Sequence, residues 1–141
     1  MDKENLRNPA STVDIIVENN LKEILLIQRR NEPFKECWCF PGGYLNYGEE
    51  TLEMAAVREL KEETNLEVKT SDLILLGNYS SPSRDPRGHV ITHVYVARRY
   101  SGEPRAQDDA LSFRWFDIGN TPSMGFDHEK ILKDYLNSGR R

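Results

Sequence analysis

The chain has 141 residues, the length of one domain, and sets 19 Lys and Arg against 23 Asp and Glu, a formal net charge of −4. That acidity argues against a general nucleic-acid binder, and no apolar run approaches the ~20 residues of a membrane span. The two cysteines, Cys37 and Cys39, stand one residue apart, too close for a useful cross-link. A disulfide scaffold is therefore excluded, and a reducing, cytoplasmic setting is expected.

Residues 12–17 and 23–29 are rich in β-branched and aliphatic side chains and read as strands. The Asn19-Asn20 turn between them predicts a hairpin. Residues 31–35 form a loop, and the short apolar stretch 38–40 is broken by Pro41-Gly42-Gly43. Residues 44–50 are a further loop. Thr51 is the N-cap of a helix over 51–64. Residues 66–68 and 73–76 read as strand pieces, and 80–88, rich in Ser, Pro and Gly, as an exposed loop. Strands follow at 90–98 and 113–116, separated by a loop. A terminal helix spans 127–137 with Asp127 as its N-cap. Such an order predicts a mixed sheet with helices packed on it, all in one domain over 1–141.

The helix beginning at Thr51 carries the most informative pattern, TLEMAAVRELKEETN. At about 100° per residue, Glu59 and Glu63 fall within about 20° of Leu52, inside the stripe that includes Ala55, Ala56 and Leu60. Two carboxylates one turn apart on an inward face repel each other, and a buried unpaired charge costs several kcal/mol. The remedies are a basic partner, protonation or a bound cation. Arg58 lies on the far flank and suits a loop carboxylate better. A hard divalent cation is the economical answer, Mg²⁺ by default with Mn²⁺ as the alternative. Cations would also reconcile an acidic site with an anionic substrate.

The segment from Gly43 through Glu50 and Arg58-Glu59-Leu60-Lys61-Glu62-Glu63-Thr64-Asn65-Leu66 resembles the Nudix box, over residues 43–66. The preceding Trp38-Cys39-Phe40-Pro41-Gly42-Gly43 fits too. Two departures stand out: one extra residue lies between the glycine and the first glutamate, and Asn65 replaces a glycine. The extra residue falls in the loop, so the first box glutamate is assigned to Glu50, with Glu49 as rival. Asn tolerates the left-handed conformation a helix C-cap requires, so the cap should survive.

The resemblance to the Nudix hydrolases implies an α/β/α sandwich with a central mixed sheet and metal-dependent cleavage of a nucleoside diphosphate derivative. By position it implies that Gly43, Glu59, Glu62 and Glu63 hold metal, that Glu62 also serves catalysis, and that Arg58 pairs with the first box glutamate. The segments YSSPSRDPRGH (79–89) and GEPRAQDDALSFRW (102–115), with Phe126-Asp127-His128, resemble the ADP-ribose pyrophosphatase branch. They imply hydrolysis of ADP-ribose to AMP and ribose 5-phosphate. An oxidised nucleoside triphosphate is the alternative substrate, and a non-catalytic nucleotide sensor the competing class. Relatives in this branch are often homodimers.

Outside the box, Arg84 and Arg87 offer planar forks suited to phosphate or to a carboxylate. Arg29, at a strand end, is a third candidate for phosphate, and Tyr79, with Tyr47, for stacking on a base. Asp109 is the expected loop acid that enters late in catalysis, with Asp108 and Glu103 as rivals. Cys37-x-Cys39 and His89-x-x-x-His93 lack zinc spacing, since i and i+4 on a strand stand some ~13 Å apart.

Overall fold

The computed structural model describes residues 6–107 and 110–139. Its elements are β1 (Ala10–Val17), β2 (Glu23–Arg29), β3 (Trp38–Cys39), β4 (Gly42–Tyr44), α1 (Leu52–Thr64), β5 (Leu73–Tyr79), β6 (Val90–Ala97), β7 (Ala110–Asp117) and α2 (His128–Asn137). The β-layer consists of two sheets. One is mixed, in the order β4-β1-β6-β5, with β1 and β6 parallel; the other is antiparallel, β3-β2-β7.

Strand period explains why helices cover both faces. In β1, Val13, Ile15 and Val17 pack toward α1 with Leu25, Ala55, Ala56, Leu60 and Tyr95. The intervening Ile16 joins Ile24, Leu26, Val94 and Val96 against Ile131, Leu132 and Tyr135 of α2. Alternate side chains thus feed two separate cores, which is why these strands are apolar on both faces. The buried Tyr135 hydroxyl donates to Glu18 Oε1 at 2.7 Å, fastening α2 to the end of β1.

Two local expectations need correction. β1 and β2 flank the Asn19 turn but do not form a hairpin ladder; only a Glu18–Ile24 bridge joins them. Both edges of β1 are taken, by β4 and β6, so β2 turns away and pairs with β3 and β7. Residues 66–68 make only the single Glu67–Ser101 bridge rather than a strand. The helix caps agree with the chemistry of their residues at α1. Thr51 Oγ1 accepts the Met54 N–H at 3.2 Å, and Asn65, at φ 69°, donates its N–H to Lys61 O. At α2 Asp127 occupies the N-cap position without capping by its side chain, because its carboxylate is engaged elsewhere.

Candidate active site

A cavity of about 380 Å³ opens where β1, β4, α1 and the loop before β6 meet. Its acidic wall comes from α1. Glu63 is 8% exposed, and its Oε2 accepts the Gly42 N–H at 3.2 Å. Glu59, one turn earlier, lays its carboxylate against the α-carbon of Gly43, where a Cβ would collide with it. A side chain at position 43 would therefore have to push the Glu59 carboxylate off this wall. Burial pushes the Glu59 carboxyl above its ordinary range even though Arg58 pulls the other way.

Arg58 uses its whole guanidinium on this wall. It grips Glu50 with two bonds of 3.0 and 2.6 Å, and it also donates to Glu59 at 2.8 Å, to Glu62 at 3.1 Å and to the Tyr44 carbonyl at 3.0 Å. The loop partner is thus Glu50, not Glu49, and Glu50 Oε1 further accepts the Asn46 N–H. One cation anchors the loop after Gly43 and aligns the box carboxylates. Glu62 differs from its neighbours. Its side chain is 45% exposed, and it stands beside Arg58 rather than on the cavity wall.

The donor set fits a hard divalent cation. Glu59 and Glu63 supply two carboxylates on one face, and Gly43 leaves room beside them. Among the described residues no three His, Cys, Asp or Glu side chains converge into a closed cage. A cation held by these two carboxylates would complete its shell with water and substrate phosphate.

The same cavity is also lined by guanidinium groups and rings. Arg29 lies over the Phe126 ring at 5.1 Å; Arg87 lies 4.9 Å from the Tyr44 centroid and 5.5 Å from that of Phe126. The buried Asp85 holds Arg87 by two bonds of 3.0 and 2.7 Å. Arg84 lines the same cavity but is not free for substrate. Its side chain is only 4% exposed and grips Asp127 with bonds of 2.9 and 2.7 Å. The expectation that Arg84 binds substrate is therefore corrected: it bolts the 80–89 loop to the start of α2. Arg84→Ala should lower unfolding free energy by about 2–3 kcal/mol in urea titration, since it strands a largely buried carboxylate. Arg84→Lys, lacking the fork, should recover only part of that loss.

Tyr79 needs correction too. It sits on β5, the outer strand, where its hydroxyl donates to Asp134 at 2.8 Å and its ring packs toward α2, away from the cavity. Tyr47 is 84% exposed and not on the cavity wall; Tyr44 is the tyrosine that lines it. Asp108 and Asp109 lie outside the described residues. The chain leading to them is tied to the end of α1 by Gln107 N–H to Glu63 O at 3.1 Å and Arg105 N–H to Thr64 O at 2.7 Å. Glu103 lends its carbonyl to the Asn65 side chain. Cys39 is buried at the cavity floor, and burial raises its thiol far above the ordinary range, so it is inert.

Sequence reasoning passed over Asp14 and His128 as cavity residues, and Phe126 as more than part of a motif. Asp14 had a signal: it is the one charged residue in the apolar run TVDIIV.

An acidic helix face sharing one cavity with guanidinium groups, in an α/β/α sandwich, suits a polyanion with bound cations. Residues 8–135 match the NUDIX domain family, and the chain belongs to that family. It is 54% identical over 129 residues to an ADP-ribose pyrophosphatase of Methanocaldococcus jannaschii, covering 92% of this chain and 74% of that one. It is 35% identical over 138 residues to an ADPR responsive transcriptional repressor of Acinetobacter baylyi, covering 93% of this chain but only 54% of the repressor. The NUDIX domain of Shewanella oneidensis NrtR, solved as a complex with ADP ribose, superposes with a TM-score of 0.81 at 26% identity, over 97% of this chain and 92% of that one. Among the described residues no helix is long and apolar enough to cross a membrane.

Proposed function

We propose that residues 1–141 act as a single Nudix hydrolase domain that cleaves ADP-ribose to AMP and ribose 5-phosphate. The reading is carried by the presence of Glu59 and Glu63 together with Arg29 and Arg87 in the lining of one cavity, and it is supported by the 54% identity to an ADP-ribose pyrophosphatase. Glu59 and Glu63, with the Gly43 carbonyl, are the ligands assigned to Mg²⁺, or to Mn²⁺ in its place. When bound there, the cation would neutralise diphosphate charge and lower the pKa of a bound water. Arg87, pre-set by Asp85, and Arg29 bind the diphosphate oxygens. Glu62, which Arg58 holds at the edge of the site, keeps the roles the Nudix resemblance implies for it, in metal binding and in activating the attacking water. Water's oxygen bonds to one phosphorus, the bridging P–O bond breaks, and the second phosphate leaves with the bond pair. Asp109 keeps its assignment as a late-entering ligand or base. The working setting is a cytoplasmic homodimer with a nucleotide substrate and no nucleic-acid partner.

A sensor that binds without turnover is the second reading, favoured by the 35% identity to the repressor. All the box carboxylates are present, which favours hydrolysis. A substrate panel with Mg²⁺ and with Mn²⁺, products identified by mass, decides between them. ADP-ribose should show at least about tenfold higher kcat/KM than nucleoside triphosphates, ~1.4 kcal/mol in transition-state binding. Preference for an oxidised triphosphate overturns the substrate, and binding without turnover overturns the enzyme.

A further inference from the structure

Asp14 is a charged residue 92% removed from solvent in the cavity lining, and the metal and arginine assignments give it no task. Its environment is built. Thr92 Oγ1, itself fully buried, donates to Asp14 Oδ2 at 2.5 Å. His128 Nδ1 accepts the Phe40 backbone N–H at 3.1 Å, so its ring proton lies on Nε2, which faces the same Oδ2 at 3.5 Å. One carboxylate oxygen is thus committed. The other, Oδ1, has no hydrogen-bond donor among the described residues and reaches over the bare α-carbon of Gly42, where a Cβ would stand 2.6 Å away. Gly42 separates Asp14 from Glu63, which takes the amide of the same glycine.

A rigid acceptor with one open oxygen in a narrow floor suits a hydroxyl donor. It does not suit a phosphate, which it repels. The flat base of a nucleotide is better served at the mouth, where Tyr44 is 41% exposed and Arg87 stacks between it and Phe126. The geometry points to Asp14 Oδ1 as the acceptor for a hydroxyl of the terminal ribose, the sugar on the far side of the diphosphate. This deepens the ADP-ribose reading and rests on it. Thr92 and His128 are positioning residues that hold the carboxylate so its free oxygen faces the sugar.

Calorimetry with Mg²⁺ and two non-hydrolysable ligands tests this: α,β-methylene ADP-ribose, and the α,β-methylene analogue of ADP methyl ester, which lacks the sugar. Wild-type protein should bind the ribose-bearing ligand at least about tenfold more tightly, the scale of a hydrogen bond to a charged acceptor. Asp14→Asn should narrow that ratio to under about threefold while leaving the methyl ester's Kd within about twofold. An unchanged ratio, or equal weakening of both ligands, overturns the assignment. Equal affinity of wild-type protein for the two ligands also overturns it, even if the variant does not fold. If neither ligand binds while triphosphates are hydrolysed, the ADP-ribose reading falls and takes this assignment with it.

Discussion

Replacing Glu63 by Gln should lower kcat/KM for ADP-ribose by about a hundredfold or more, ~2.7 kcal/mol of transition-state stabilisation, while leaving the fold intact. The amide keeps the size of the side chain, and its oxygen still accepts the Gly42 N–H seen at 3.2 Å. What disappears is one of the two charges, with that of Glu59 one turn away, on which the proposed cation site rests. Removing one of two like charges should raise stability slightly in the absence of metal. Mg²⁺ titration of activity alongside thermal unfolding in EDTA measures both effects. A Glu63→Gln protein that saturates with Mg²⁺ and turns over normally would show that Glu63 is not a ligand.

Arg58→Ala should damage stability and turnover together, because one guanidinium serves Glu50, Glu59, Glu62 and the Tyr44 carbonyl. The pair it forms with Glu50 is mostly sheltered, with side-chain exposures of 25% and 8%. A loss of about 2 kcal/mol in unfolding free energy is expected, below the full cost of breaking a buried pair because Arg58 keeps some water. If the pair acts as a unit, Glu50→Gln and Arg58→Ala together should cost little more than either alone. Fully additive losses would argue against coupling. The pH dependence follows from the Arg58 hydrogen bond, which holds the Glu50 carboxyl below its ordinary value of 4.5. A folded-state pKa below the unfolded one stabilises at pH above the unfolded value, and that stability is lost as pH falls through the folded one. The stability gap between wild type and Glu50→Gln should therefore be full at neutral pH and shrink below about pH 4.5.

The parts of this site that sequence made legible are those with a local period. Helical spacing placed Glu59 and Glu63 on the buried face of α1, and both line the cavity. Thr51 and Asn65 cap that helix as their chemistry requires, since capping depends on residues only three or four apart. What could not be read were partners distant in sequence. Arg84 and Arg87 are indistinguishable in a Pro- and Gly-rich loop; only the fold brings Asp127, 43 residues on, to one and Tyr44 to the other. The hairpin expectation failed for a related reason. A turn signal says that the chain reverses, but it does not say which neighbours will already fill the strand's edges. Asp14 shows the same limit from the other side, for its place in an apolar strand marked it as unusual without revealing Thr92 or His128.

The Arg84–Asp127 bolt has an evolutionary corollary. The loop that presents Arg87 and the terminal helix that carries His128 are joined by a sheltered ion pair, so neither segment drifts alone. Loss of one partner leaves a charge with little water and no mate, a state selection removes sooner than it removes an exposed substitution. Lineages should therefore exchange both residues nearly together or keep both. Recombination between distant relatives should tolerate a crossover after α2 far better than one between positions 84 and 127, because a chimera of the latter kind inherits a loop cut for another protein's helix.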